Sequence, residues 1–76
     1  MTTLPSLTGN QLVSALAVAG FKIARVRGSH HFVQHADGRT TVVPVHSGET
    51  IGPGSLSKIL RDCELSRNEF HKLLSG

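Results

Sequence analysis

The sequence predicts an α+β fold with the element order α-β-β-β-α, followed by a short extra C-terminal helix. A capping-box pattern, Thr8-x-x-Gln11, marks the start of the first helix. Three runs rich in β-branched and aromatic residues follow, joined by a glycine turn and an Asp-Gly hairpin signal. Because such short connections join antiparallel neighbours, we expect a three-stranded antiparallel sheet with the helices packed on one face.

The first helix is predicted over about residues 8–19. Leu12, Leu16 and Ala19 recur at helical spacing and form one apolar stripe. Gly20 supplies the C-terminal stop. The segment is almost uncharged, as suits a helix packed flat against a sheet.

The strands are predicted at about residues 21–27, 30–35 and 40–45. Gly28-Ser29 turns the chain between the first two strands, and Asp37-Gly38 marks the second hairpin. These two turns make the three strands a simple antiparallel meander.

Two details of the strands are irregular. Simple alternation puts Phe21 and Ile23 on one face and Ala24 and Val26 on the other, an untidy pattern that is compatible with a β-bulge. Pro44 lies inside the third run and cannot donate to a ladder. We therefore expect this end of the strand to lie at an edge of the sheet or to leave it.

The second helix is predicted over about residues 55–62, with Ser55 as its cap and an apolar face of Leu56, Ile59 and Leu60. The glycine-rich loop before it ends in Gly52-Pro53-Gly54. Exposed N–H groups at such a helix start can bind phosphate, although a plain loop and cap is the simpler interpretation.

The last helix is predicted over about residues 66–75. Ser66 and Glu69 form a second capping box, and Leu65 can staple onto Phe70. This helix contributes to the core by default, or it helps to meet a partner.

Size and composition limit the possible functions. With 76 residues and 17% charged side chains, the chain is a single small folded domain without room for a separate cofactor domain. Cys63 is the single cysteine, which excludes an internal disulfide and favours a buried thiol. No signal peptide or membrane-spanning run is visible, so we expect a cytoplasmic protein without membrane contact.

Charge and histidine placement indicate an anionic partner. Eight Lys and Arg against five Asp and Glu give a formal charge of +3. Lys22, Arg25, Arg27 and Arg39 flank the segment Gly28-Ser29-His30-His31. Glycine allows close approach of the backbone, and histidine exchanges protons near neutral pH. The cluster favours a polyanion, the alternative being a solvated basic face.

The predicted layout is that of the double-stranded RNA-binding domain, and the residues resemble the HicA toxins of bacterial HicA–HicB toxin–antitoxin pairs. The resemblance runs from about Leu12 to Leu74. It rests on these stretches: Gly20-Phe21, Arg25-Val26-x-Gly28-Ser29-His30-His31-Phe32, Val42-Val43-Pro44-x-His46 and Ile51-x-Pro53-Gly54-Ser55-Leu56-x-x-Ile59-Leu60.

The resemblance implies an endoribonuclease toxin that cleaves mRNA, needs no metal or other cofactor and is neutralised by a HicB-type antitoxin. The catalytic histidine of the family follows the glycine turn. That position is His30 here, with His31 as the second candidate, because some relatives carry the histidine one position later. Adjacent residues in a strand face opposite sides, so only one of the two is expected to reach the substrate.

RNA supplies its own nucleophile, the 2′-OH, so cleavage needs proton transfer and charge stabilisation. His30 is a candidate general base, and His31, His35 and His46 are candidates for the general acid. The RNA-binding candidates are cationic side chains and the turn that precedes His30. They are Lys22, Arg25, Arg27, Gly28, Ser29, Arg39, His46 and Lys58.

Three alternatives remain open. The first is a zinc site formed by His30, His31, His35 and His46, although their spacing matches no common zinc pattern. The second is a non-catalytic RNA-binding module. Duplex binders usually place several lysines at the start of the last main helix, where this chain offers only Lys58. The third is an interaction domain or a toxin without activity.

Overall fold

The computed structural model describes residues 6–75 and has the predicted α+β architecture. The residues on which the absence of a signal peptide was argued, 1–5, lie outside this range. The elements are α1 (Gly9–Val18), β1 (Phe21–Arg27), β2 (His30–His35), β3 (Thr40–Pro44), α2 (Pro53–Asp62) and α3 (Arg67–Ser75). The strands form one antiparallel sheet in the order β1-β2-β3.

The core lies between one face of the sheet and all three helices. The sheet contributes Phe21, Val33 and Val43, each buried. The helices contribute Leu12 and Leu16 from α1, Leu56, Ile59 and Leu60 from α2, and Phe70 from α3. The opposite face of the sheet therefore carries no helix among the described residues.

Both predicted capping boxes are confirmed. At α1, the Thr8 N–H donates to Gln11 Oε1 over 2.9 Å and the Gln11 N–H donates to Thr8 Oγ1 over 3.2 Å. At α3, Ser66 and Glu69 exchange the same two bonds. Gly20 follows the α1 C-cap with a φ of +100°, a conformation that glycine adopts without strain.

The start of α2 differs from the prediction. Gly52 is the N-cap and Pro53 is the first helical residue, so the prediction that Ser55 caps this helix is wrong. Proline is favoured at that position because its fixed φ suits the helix and its missing N–H would have no partner there. The residue that indicated the helix start was therefore Pro53, and not Ser55 two residues later.

Strand β1 contains a β-bulge, and its irregular sequence pattern is compatible with this. The register with β2 shifts between Ile23 and Arg25, so Ala24 is the additional residue. Ile23 and Val26 consequently share the helix side of the sheet, because they pair with Val33 and His31. The prediction that Ile23 and Val26 lie on opposite faces is therefore wrong.

Strand β3 ends at Pro44, one residue earlier than predicted. It is an edge strand of the sheet, as the proline led us to expect.

Cys63 is also as predicted. It is fully buried, and burial raises the pKa of its thiol to about 11.

Candidate nucleic-acid interface

The two adjacent histidines lie on opposite faces of the sheet. His30 is exposed and pairs with Arg27 of β1 and Pro44 of β3. His31 is partly buried on the helix side, between Val26 and Val43. Its Nδ1 atom is buried without a hydrogen-bond partner. Of the two, His30 is therefore the one that a large ligand can reach from the uncovered face.

The bulge at Ala24 brings three cations to the face of His30. Simple alternation would separate Lys22 from Arg25 and Arg27. Because one residue is added between them, Lys22 pairs with Gln34, Arg25 with Phe32 and Arg27 with His30. Directly opposed residues share a face, so all three cations project from the same side as His30.

We call this surface the basic sheet face. It comprises Lys22, Arg25, Arg27, His30, Phe32, Gln34, Thr40, Val42 and Pro44. The five acidic residues of the chain all lie outside the strands, at positions 37, 49, 62, 64 and 69. No carboxylate on the strands thus offsets the positive potential of this face, which favours a polyanion.

The turn before His30 is tight and glycine-dependent. Gly28 has a φ of +59°, and it is the only one of the two turn residues with a positive φ. That pattern matches a type II′ hairpin turn, in which glycine takes the first central position. The Ser29 carbonyl accepts a bond of 2.6 Å from the N–H of Val45, which fixes the turn to the end of β3.

His46 lies at the same end of the sheet as His30. It follows Val45 and is exposed at the mouth of a cleft of about 240 Å³. Pro44, the cross-strand neighbour of His30, lines the same cleft. His46 is therefore the candidate general acid that shares a cleft with Pro44, the cross-strand neighbour of His30.

The side chain of His35 makes contacts within the protein. Its ring packs edge-on against Phe21, with centroids 5.1 Å apart. Its Nδ1 lies 3.1 Å from the backbone nitrogen of Asp37 and 3.1 Å from a carboxylate oxygen of the same residue. His35 shares the helix side of β2 with His31, and neither faces the ligand surface described above.

Two predicted RNA-binding cations are engaged within the protein. Arg39 donates to the Cys63 carbonyl over 2.6 Å, pairs with Asp37 over 2.8 Å and lies 5.1 Å from the Phe21 ring centroid. Lys58 pairs with Asp62 over 2.9 Å on α2. Neither residue belongs to the basic sheet face.

Phe32 is a part of this face that the site prediction from sequence did not include. It is partly buried and lies outside the core, and the Arg25 guanidinium is 5.0 Å from its ring centroid. The available signal was its position two residues after His30 in the same strand, since such residues share a face.

Within residues 6–75, no three His, Cys, Asp or Glu side chains are gathered so that they could hold a metal ion. The four histidines of the zinc alternative are divided between the two sides of the sheet and the loop after β3. In the same part of the chain, no helix is long and apolar enough to cross a membrane.

The fold and site define a small α+β domain with an acid-free, basic sheet face that exposes one histidine beside a glycine turn. A family model described as the HicA toxin of bacterial toxin–antitoxin systems matches residues 9–65. The chain therefore belongs to the HicA toxin family. No curated protein matches the chain. The match covers the sheet, α1, α2 and the turn before His30.

Proposed function

We propose that this protein is a metal-independent endoribonuclease toxin that cleaves mRNA with His30 as the general base, and that a HicB-type antitoxin neutralises it. Membership of the HicA toxin family supports the toxin role. The observation that carries the proposed chemistry is the exposure of His30 on a basic face shared with Arg25 and Arg27.

In the proposed reaction, neutral His30 takes the proton of a ribose 2′-OH. The 2′ oxygen attacks the adjacent phosphorus, a P–O2′ bond forms and the P–O5′ bond breaks. The departing O5′ receives a proton from a general acid, for which His46 is our candidate. The products are a 2′,3′-cyclic phosphate and a 5′-hydroxyl, so no water enters this step.

Charge on the phosphate grows during the attack and needs nearby donors. Arg27 is the cross-strand neighbour of His30, and Arg25 and Lys22 continue the same row. The Gly28-Ser29 turn adds backbone N–H groups directly before His30. We assign these residues to phosphate binding and assign no substrate contact to Arg39 or Lys58.

A domain of this size has no lid over the basic sheet face among its described elements. Control by an antitoxin that covers this face is physically sufficient, because it blocks His30 and the cations together. Charge complementarity predicts that the covering surface is acidic.

The test is cleavage of a long single-stranded RNA in excess EDTA by the wild type and by His30→Ala. Removal of a general base is expected to slow cleavage by about 10²–10⁴-fold. His71→Ala is the matched control, since it removes a histidine from α3 on the other side of the sheet. It should cleave at the wild-type rate.

Product analysis tests the mechanism independently. Fragments with a 2′,3′-cyclic phosphate are expected, and DNA of the same sequence should stay intact because it lacks the nucleophile. Equal cleavage by His30→Ala and the wild type would exclude His30 as the base. RNA that is bound but not cleaved by the folded wild type would favour the non-catalytic RNA-binding module.

A further inference from the structure

We propose that the Arg25–Phe32 pair of the basic sheet face is a platform on which one unpaired base of the RNA substrate stacks beside the scissile phosphate. This inference rests on the proposed function, because it assigns a base-stacking role to two residues of the same face. The first observation is that the aromatic ring of Phe32 lies outside the core.

The chain has three phenylalanines, and two of them are core residues. Phe21 is 3% exposed and Phe70 is fully buried, both within the core. Phe32 lies on the opposite face of the sheet, where no helix covers it among the described residues. Aromatic rings on a basic, open surface are the usual stacking platforms for single-stranded nucleic acid.

Arg25 completes the platform. Its guanidinium lies over the Phe32 ring, 5.0 Å from the centroid, and the two residues are directly opposed in the sheet. A guanidinium held in this way offers a planar cationic surface to a base while remaining close to the backbone phosphates. We therefore assign the outer layer of the stack to Arg25 and the inner layer to Phe32.

The position relative to His30 fits one nucleotide. His30 and Phe32 are two residues apart on one face of β2, a separation of roughly 6.6 Å along the strand. A base on the platform and its own phosphate near His30 can span that distance. Gln34 and Thr40, opposed to each other farther along the same face, offer polar groups to a neighbouring base.

A duplex fits this surface poorly. Bases in a duplex are stacked on each other and cannot reach a ring on a flat sheet, and duplex recognition relies on phosphate and 2′-OH contacts. The apolar strip of Phe32, Val42 and Pro44 would then face water and phosphates. Lys58, the cation that the duplex-binding layout would use, is paired with Asp62.

The test uses a short single-stranded RNA with 2-aminopurine at one position and 2′-O-methyl groups throughout, which removes the nucleophile. The chain contains no Trp or Tyr, so the probe can be excited without a background from these residues. Stacking quenches the probe. We expect quenching by the wild type, and binding weakened about 10- to 100-fold with little quenching in Phe32→Leu.

Matched variants separate stacking from charge. Phe32→Tyr keeps an aromatic face and should restore binding and quenching. Arg25→Lys keeps the charge without the planar layer and should reduce quenching at saturation. Lys22→Gln should weaken binding and lower the salt dependence while full quenching remains at saturation. Circular dichroism melts verify that each variant is folded.

Full affinity and full quenching in folded Phe32→Leu would overturn the platform and leave the apolar strip to a protein partner. Equal affinity for the single strand and its duplex would also overturn the platform, because a paired base cannot stack on it. Cleavage that depends on His30 but not on Phe32 would refute this inference and leave the proposed function standing. Stacking of the probe together with no cleavage of unmodified RNA would support the platform and refute the nuclease.

Discussion

The buried nitrogen of His31 leads to a prediction that separates stability from catalysis. His31 lies between Val26 and Val43 on the helix side of the sheet, and its Nδ1 is buried without a partner. A buried polar group without a hydrogen bond costs about 1–3 kcal/mol. Leucine at this position has comparable bulk and no polar atom, so His31→Leu should remove that cost.

Part of this gain is offset by the different shape of leucine, since small core changes are felt in close-packed interiors. We therefore expect His31→Leu to raise the free energy of unfolding by about 1 kcal/mol. For a domain of this size, that change corresponds to a rise in Tm of about 4–8 °C. Thermal and urea unfolding followed by circular dichroism measure it.

The same variant is then compared in the RNA cleavage assay. If His30 is the base, His31→Leu cleaves within a few-fold of the wild-type rate, and His30→Ala cleaves about 10²–10⁴-fold more slowly with an unchanged Tm. A clear fall in the Tm of His31→Leu would show that the imidazole makes a favourable bond and would refute the stability argument. Loss of cleavage in a folded His31→Leu would transfer the catalytic role to His31.

Three further predictions concern the supporting structure. Arg39→Met should lower the free energy of unfolding by about 1.5–3 kcal/mol in urea titrations, because a charged hydrogen bond to a buried carbonyl is lost, and should leave RNA affinity unchanged. Cys63 should react with a thiol reagent about 100-fold more slowly in the folded protein than in urea, since burial raises its pKa from 9.0 to about 11. The hydrogen bond from Lys58 holds the pKa of Asp62 below its ordinary 3.8, so its stabilisation is lost as the pH falls through that lowered pKa. Asp62→Asn should therefore flatten the acid side of the stability profile, measured by Tm below pH 3.8.

Local patterns were sufficient to predict most of the fold. The capping boxes at Thr8 and Ser66 satisfy helix donors with neighbours three residues away, so the sequence contains the whole interaction. The two hairpins likewise depend on Gly28 and Gly38, which adopt the positive φ values that their turns require. These helix starts and turns are determined by residues no more than a few positions apart in the sequence.

The features that were predicted wrongly or missed depend on distant partners. The bulge at Ala24 is visible only in the pairing with β2, where the added residue places Val26 on the helix side and the two arginines on the other. Arg39 appeared to be a surface cation, yet its guanidinium donates to the carbonyl of Cys63, 24 residues later. The residue pattern within one segment cannot predict either of these contacts, because each has a partner in another segment.

The alternation of β2 gives this small domain two independent sets of residues. His31, Val33 and His35 lie on the helix side, where Val33 belongs to the core, whereas His30 and Phe32 face outward. Because one set faces the helices and we propose that the other meets the RNA, substitutions at alternate positions of this strand should affect different measurements. The bulge in β1 extends the division to the neighbouring strand, since it turns Arg25 and Arg27 to the outward side of Lys22 without taking Phe21 from the core. A chain with so little core can thus leave the basic sheet face uncovered and still fold, because the strand residues of the core, Phe21, Val33 and Val43, are not those that form this face.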